Sequence, residues 1–294
     1  MIKINLISIN LSERIRYFSI DDIYDNLKVV FYVLLLIIIF KVKEMKNIKH
    51  ITILSLGLIL LTSCPPSTFT PDSVNIRFVH YAGGENYQSD PVNPYLIEDT
   101  LLYTNDAGQL YSVQNLDYII TDINLTDEEG TVLQELRDIH YVTISNPSSL
   151  NLSISSILNK GEYRNIEFTF GLDSTKNISN LYVNEEFHTR MFWPEMMGGG
   201  YHYMKIEGRF DNNSFYNTHT GGTMGIDYSF KKSFPVNITT IEDGTIHEVV
   251  IAMDLNNWYK NPNTISLTTD GIMGNMQRQM ELKENGIENV FDVY

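Results

Sequence analysis

From residue 74 onward, the chain consists of short runs in which apolar and polar residues alternate, separated by turn sequences such as Glu129-Gly130. The first run, 74–81, has the period of two that is typical of a half-buried strand. The remaining runs are 116–126, 139–145, 150–154, 163–171, 201–210, 215–220, 236–241 and 247–255. Short strands joined by turns predict an all-β protein, an antiparallel β-sandwich. Helix is expected to be limited to a turn or two near 181–187 and near 276–285.

A short pattern upstream of the strands predicts export. Leu61-Thr62-Ser63-Cys64 ends an apolar run at 51–60, and two lysines precede that run. This arrangement is typical of a bacterial lipoprotein signal peptide, in which the cysteine receives the lipid before cleavage. Residues 45–63 are therefore predicted to be a signal peptide, and Cys64 is the predicted lipidation site.

The segments on either side of the signal peptide complete the predicted domain organisation. Residues 1–44 are interpreted as an upstream extension that results from a mis-called start codon, with a true membrane anchor at 29–40 as the alternative. Residues 64–73 are rich in proline and serine and are predicted to be a tether. Residues 74–294 are predicted to form one β domain.

Composition excludes several classes of function. The chain has 36 acidic and 21 basic residues, for a net charge of −15, so phosphate repulsion makes nucleic acid an improbable partner. It has one cysteine, to which the lipid is predicted to be attached. A disulfide framework, a zinc knuckle and a catalytic thiol are therefore excluded. Any metal site must use histidine, methionine, carboxylate or main-chain oxygen.

The segment 188–222 contains the densest set of candidate ligands. In a strand, alternate side chains share a face, so His202 and Met204 are expected to point the same way. A hairpin turn follows, and His219 is expected to return on the neighbouring strand within reach of that face. Two imidazoles and a thioether on one face would suit copper, particularly Cu(I).

Each of these residues also has a plain structural interpretation. A histidine in a strand is often hydrogen-bonded or solvent-facing, and Met204 is a common type of core filler. Trp193 would then be a large buried anchor, and the glycines 198–200 would mark a bend or bulge.

Several motifs in the β domain resemble those of the MbnP-like family. They are the segments 103–109, 116–123, 161–163, 168–174, 191–193, 200–208, 219–221 and 285–291. The most specific of them is the Gly-Tyr-x-x-x-Lys-x-Glu-Gly strand at 200–208, which is preceded by Met191-Phe192-Trp193. The resemblance covers residues 76 to 292.

The resemblance implies an exported β-protein that binds copper and is associated with methanobactin systems, in a family with many lipoprotein members in Bacteroidota. In some members a di-haem partner enzyme oxidises a tryptophan, and Trp193 matches the first position of the family's Trp-x-Trp pattern. The second tryptophan and the family's cysteines are missing here. The resemblance strengthens the prediction of copper at His202 and His219, with Trp193 as a wall of the site.

The sequence therefore predicts a lipid-anchored extracytoplasmic protein that carries or sequesters copper and is not an enzyme. Cys64 would attach it to the cell membrane or outer membrane, facing the periplasm or the cell surface. A di-haem peroxidase-like enzyme is the predicted protein partner. The alternative is a metal-free surface module that recognises glycan or protein, with Trp258-Tyr259 as an exposed aromatic platform.

An enzymatic alternative has less support. Glu195, Glu207, Asp211 and Asp227 offer carboxylates for a hydrolase, as any acidic protein would. The chain contains none of the short catalytic motifs that mark the common hydrolase families.

Overall fold

The computed structural model describes residues 70–83, 96–154, 158–241 and 243–294. The predicted upstream extension, the signal peptide and the lipidation site Cys64 lie outside the described residues, as do residues 64–69 of the tether. Among the described residues, no helix is both long and apolar enough to cross a bilayer.

Within the described residues the fold is an antiparallel β-sandwich, as the alternating pattern predicts, together with one α-helix. The strands are β1 (Ser73–Tyr81), β2 (Tyr103–Thr104), β3 (Leu110–Tyr111), β4 (Asn115–Thr126), β5 (Val132–Thr143), β6 (Asn151–Ile154), β7 (Gly161–Phe170), β8 (His202–Phe210), β9 (Ser214–Gly221), β10 (Phe230–Thr240), β11 (Ile246–Asp254) and β12 (Phe291–Val293). The helix is α1 (Met276–Asn289). It is longer than the predicted turn or two, and residues 181–187 form turns.

The strands form two sheets. The smaller sheet has the order β12-β11-β1-β6, and β1 pairs with β11 in parallel, which the antiparallel prediction did not include. The larger sheet runs β10-β7-β4-β8-β3-β2, with β5 added on β4 and β9 added on β8. One edge of β4 pairs with β5, while its other edge is shared between β8 and β7. This division of β4 brings β8 and β9 to one end of the larger sheet.

An aromatic cluster between the sheets holds them together. Trp258 is fully buried, with its ring centroid 5.0 Å from that of Phe170 and 6.3 Å from those of Phe230 and Phe291. Phe170 and Phe230 belong to the larger sheet and Phe291 to the smaller one. Because Trp258 and Tyr259 are both buried, the exposed platform predicted there is wrong. Their aromatic surface is used to join the two layers.

The last residues of the predicted tether belong to the folded domain. Thr70 forms an isolated bridge to Asp243, and β1 already begins at Ser73. The buried carboxylate of Asp72 accepts hydrogen bonds from the backbone N–H groups of Ile241, Asp243, Gly244 and Thr245. These charge-assisted bonds fix the start of the domain to the turn before β11.

His80 gives the fold a pH dependence. Its Nε2 lies 2.9 Å from the hydroxyl of Tyr118, and burial lowers its pKa from 6.5 to about 3. The unfolded chain therefore binds a proton below pH 6.5 that the folded chain excludes, and stability is lost as the pH falls through that range.

We expect the free energy of unfolding to fall between pH about 6 and about 4, with His80 contributing up to about 1.4 kcal/mol per pH unit. Urea unfolding at several pH values should show a shallower fall in His80→Gln. Tyr118→Phe is the control, because it removes the hydroxyl and leaves the imidazole buried. An equal pH dependence in all three proteins would contradict the assignment.

Candidate metal centre

A β-bulge in β8 brings two histidines together. Lys205 pairs with His219 and Met204 with Thr220, but the register then shifts, so that His202 pairs with Gly221. The extra residue reverses the alternation of side chains on its other side, so His202 joins the face that carries His219. The two imidazole centroids lie 5.0 Å apart, with their planes at 83°.

The same bulge separates Met204 from the histidines. Met204 and its partner Thr220 lie on the opposite face of the hairpin from Lys205 and His219, because neighbouring side chains in a strand alternate. Met204 is fully buried in the main hydrophobic core. The prediction that its thioether shares a face with His202 and His219 is therefore wrong.

His202 has a buried ring nitrogen without a hydrogen-bond partner. Its Nδ1 lies 3.1 Å from the carbonyl oxygen of Met191, and a carbonyl can only accept, so Nδ1 carries the proton. Nε2 is then left with its lone pair, and no polar atom bonds to it. Burial, followed by the charge of His219, lowers the pKa of His202 to about 3, so the ring is neutral at pH 7. This is the protonation state that binds a metal.

His219 is oriented by a carboxylate. Its Nε2 lies 2.9 Å from Oε1 of Glu207, whose Oε2 accepts a hydrogen bond from Asn115 at 2.9 Å. The hydrogen bond from His219 lowers the pKa of Glu207 to about 2, and the nearby Lys205 adds to the effect. The ionised carboxylate accepts a hydrogen bond from Nε2–H, which leaves Nδ1 as the His219 ring nitrogen that could ligate a metal.

Trp193 lies against this pair. Its ring centroid is 4.7 Å from that of His202, and its indole N–H donates to the carbonyl oxygen of Met197 at 3.2 Å. The ring is fully buried and covers Gly221, where an added Cβ would come within 2.5 Å of it. The structure thus places Trp193 beside His202, where the sequence predicts a wall of the site.

The triple glycine shapes the segment that carries Trp193. Gly198, Gly199 and Gly200 all have positive φ angles, which a residue with a Cβ adopts at a cost. This conformation turns the chain back, so that the backbone N–H of Trp193 donates to the carbonyl of Gly200 at 2.9 Å. The glycines therefore set the distance between the indole and β8.

The sequence offered Glu207 only as a hydrolase carboxylate, and strict alternation along the strand puts it on the opposite face from His202. The alternation rule fails here because the bulge reverses it, and no residue type in 201–204 marks a bulge. Sequence reasoning also missed Arg190, which donates to both carboxylate oxygens of the buried Asp117 at 2.9 Å. That ion pair joins the segment that carries Trp193 to β4.

The carboxylates considered for hydrolysis contact different neighbours. Glu207 bonds to His219, Asp227 accepts from Tyr203, and Asp211 accepts from the backbone of Leu110. Glu195 is exposed in the 3-10 turn Glu195–Met197.

The donor set at the centre consists of two imidazoles. Within residues 70–83, 96–154, 158–241 and 243–294, no group of three or more His, Cys, Asp or Glu side chains is arranged to hold a metal ion. The carboxylate of Glu207 already receives the hydrogen bond from His219. A metal here would have to accept two nitrogen donors in a largely buried place.

Comparison with known proteins identifies a family. The family model MbnP matches residues 71–277. A solved structure, MbnP from Methylosinus trichosporium, is 12% identical, with a TM-score of 0.44 over 75% of this chain and 97% of that chain. This low identity and TM-score add nothing to what the family match shows. No similar sequence is found among curated proteins.

Replacing Gly221 by alanine should disturb the centre, because the new methyl group would overlap the fully buried Trp193 ring. We expect the free energy of unfolding to fall by about 1–3 kcal/mol, with a change in tryptophan fluorescence. Gly161→Ala is the matched control, since a Cβ there meets nothing within 4 Å. Equal unfolding free energies for the two variants would show that the indole is not packed on Gly221.

Proposed function

Because this chain belongs to the MbnP family, we propose that it binds copper as Cu(I) between His202 and His219. The observation that carries the proposal is the buried, unpartnered Nε2 of His202 beside the ring of His219. A buried nitrogen lone pair without a partner is costly, and a metal ion would satisfy it. Copper is the metal that the family resemblance implies.

The donor set fits Cu(I) better than other common ions. Structural zinc takes four ligands, and calcium and magnesium take six or more oxygens, whereas two imidazoles are offered here. Imidazole is a suitable ligand for copper, and Cu(I) forms stable complexes with few ligands. The His202 ring is neutral at pH 7 and is oriented by the Met191 carbonyl, and the His219 ring is oriented by Glu207.

The surroundings favour storage or transfer over catalysis. Trp193 packs against His202, and both histidines are buried. Limited access slows both ligand exchange and reaction with small molecules. We therefore propose a carrier or sequestering protein that is not an enzyme.

Cell placement and partners form the second part of the proposal. The pattern at 61–64 supports export and lipid attachment through Cys64, with the domain outside the cytoplasm on the cell membrane or outer membrane. A di-haem peroxidase-like enzyme is the proposed protein partner. The Trp193 ring is fully buried. Such an enzyme would therefore have to oxidise Trp193 without direct contact with the ring.

The copper assignment is tested with Cu(I) and a chromogenic chelator that competes for it, using the full chain under reducing conditions. We expect bound copper in the wild type, weaker binding in His202→Ala and in His219→Ala, and loss of this site in the double variant. His140→Ala is the matched control, because β4 separates its strand from β8. Unchanged chelator competition in the double variant would reject the assignment.

A second measurement tests Glu207 as the residue that positions His219. Replacing Glu207 by leucine removes the acceptor for Nε2–H, so we expect Cu(I) affinity to fall by about 10–100-fold. Glu207→Gln retains an oxygen that accepts the same hydrogen bond and should recover most of the loss. An equal loss of Cu(I) affinity in both variants would indicate that Glu207 acts through its negative charge and not through the hydrogen bond.

A further inference from the structure

We propose that Met196, Met197, Met224, Met273 and Met276 form a second, surface site for a soft monovalent cation beside the histidine pair. We refer to these five residues as the methionine surface. The cation would be Cu(I), a choice that rests on the proposed function, or Ag(I), which has the same charge and prefers the same ligands.

Three of these methionines are unusually exposed, and Met197 and Met273 are half-buried. Met196 is 84% exposed, Met224 58% and Met276 48%. Methionine is normally an interior residue, and the chain uses it so elsewhere, at Met191, Met204 and Met253. Exposed thioethers concentrated in one part of a structure therefore call for a reason other than core packing.

Three chain segments bring the methionines together. The backbone of Gly198, next to Met197, approaches that of Met224 so closely that an added Cβ would lie 3.1 Å from the Met224 nitrogen. The hydroxyl of Thr223 donates to the carbonyl of Met273 at 2.7 Å. Main-chain and hydroxyl contacts thus fix the three segments side by side, independently of the thioether side chains.

Met224 lies in a conformation that methionine seldom adopts. Its φ is 54° and its ψ 31°, in the left-handed region, where a Cβ is unfavourable. Glycine would be less strained here, and glycine does occupy positions 221, 222 and 225 around it. Residues held in such sparsely populated backbone regions cluster at functional sites.

The methionine surface is joined directly to the candidate copper centre. The carbonyl of Met197 accepts the indole N–H of Trp193. In α1, which begins at Met276, Gln279 donates to the carbonyl of His219 at 2.7 Å and accepts from the backbone N–H of Gly221 at 3.3 Å. The segments that carry the thioethers therefore also hold Trp193 and His219 in place.

The ligand chemistry selects the cation. Thioether sulfur is soft and polarisable, and among biological metals it favours Cu(I) over zinc, calcium or magnesium. The net charge of −15 raises the concentration of cations around the protein without providing a soft ligand.

The experiment is an Ag(I) nitrate titration of the full chain, labelled with ¹³C at the methionine methyl groups, in chloride-free buffer. Ag(I) is a closed-shell probe that does not require reducing conditions. We expect the methyl resonances of Met196, Met224 and Met276 to shift with Ag(I), while that of the buried Met253 stays in place. Equilibrium dialysis measures how many Ag(I) ions are bound.

Two variants separate this proposal from the copper assignment. Met196→Leu/Met224→Leu/Met276→Leu keeps side-chain volume and removes sulfur, so we expect it to lose the surface Ag(I) and to retain Ag(I) at the histidines. His202→Ala/His219→Ala should show the reverse. Met253→Leu is the control for methionine replacement, and thermal unfolding checks that each variant is folded.

The outcomes distinguish the two proposals. Unshifted methyl resonances of Met196 and Met224, or wild-type Ag(I) binding in the triple variant, would overturn the methionine surface as a metal site and leave an apolar docking surface as its interpretation. Wild-type Ag(I) binding in the double histidine variant would instead overturn the copper assignment and leave the methionine surface standing.

Discussion

The candidate centre depends on a single backbone irregularity, the β-bulge between His202 and Met204. In a regular hairpin His202 would share a face with Met204, and the imidazole of His219 would lie on the other side of the sheet. The extra residue reverses this arrangement and gives the two rings a common face. It also leaves Tyr203 free to bond with Asp227, which ties the bulge to the segment before β10. Bulges of this kind re-aim side chains near functional sites in many β-proteins.

Burial then gives the paired imidazoles their chemistry. A buried histidine is difficult to protonate, so His202 keeps a lone pair over the whole neutral range. The Met191 carbonyl accepts from Nδ1 of His202, and the Glu207 carboxylate accepts from Nε2 of His219, so one nitrogen of each ring is occupied. Because these partners are fixed by β4 and by the segment before β8, the centre depends on the packing of several elements rather than on the hairpin alone.

The sequence predicts the fold well because most strands have one buried face. Period-two alternation locates nine of the strands, but it misses the short strands β2, β3 and β12, which contain too few residues to show a period. It also misses the first half of β5, where five of the seven residues from Val132 to Asp138 are exposed and alternation is lost. The parallel pairing of β1 with β11 joins residues far apart in the chain and has no local signal.

The candidate site is less predictable for a related reason. The hairpin and its two histidines are visible in the sequence, but which side chains share a face depends on register, and a shift of one residue changes the answer completely. That is why the sequence places Met204 with the histidines and Glu207 opposite them, while the structure does the reverse. That the segments carrying Met196, Met224 and Met276 lie side by side is likewise invisible in the sequence, because they are far apart along the chain.

The two donor sets differ in softness and in burial, and the difference has a consequence for how an ion would move. Exposed thioethers bind a soft ion without first displacing a packed side chain, so capture and release at the methionine surface are fast. Both imidazoles are buried, and Trp193 packs on His202, so an ion would have to lose its water to reach them and would exchange slowly there. An exposed site alone would lose its ion readily, and a buried site alone would fill slowly. Placed side by side on segments that share Trp193 and Gln279 as connections, they combine rapid capture with retention.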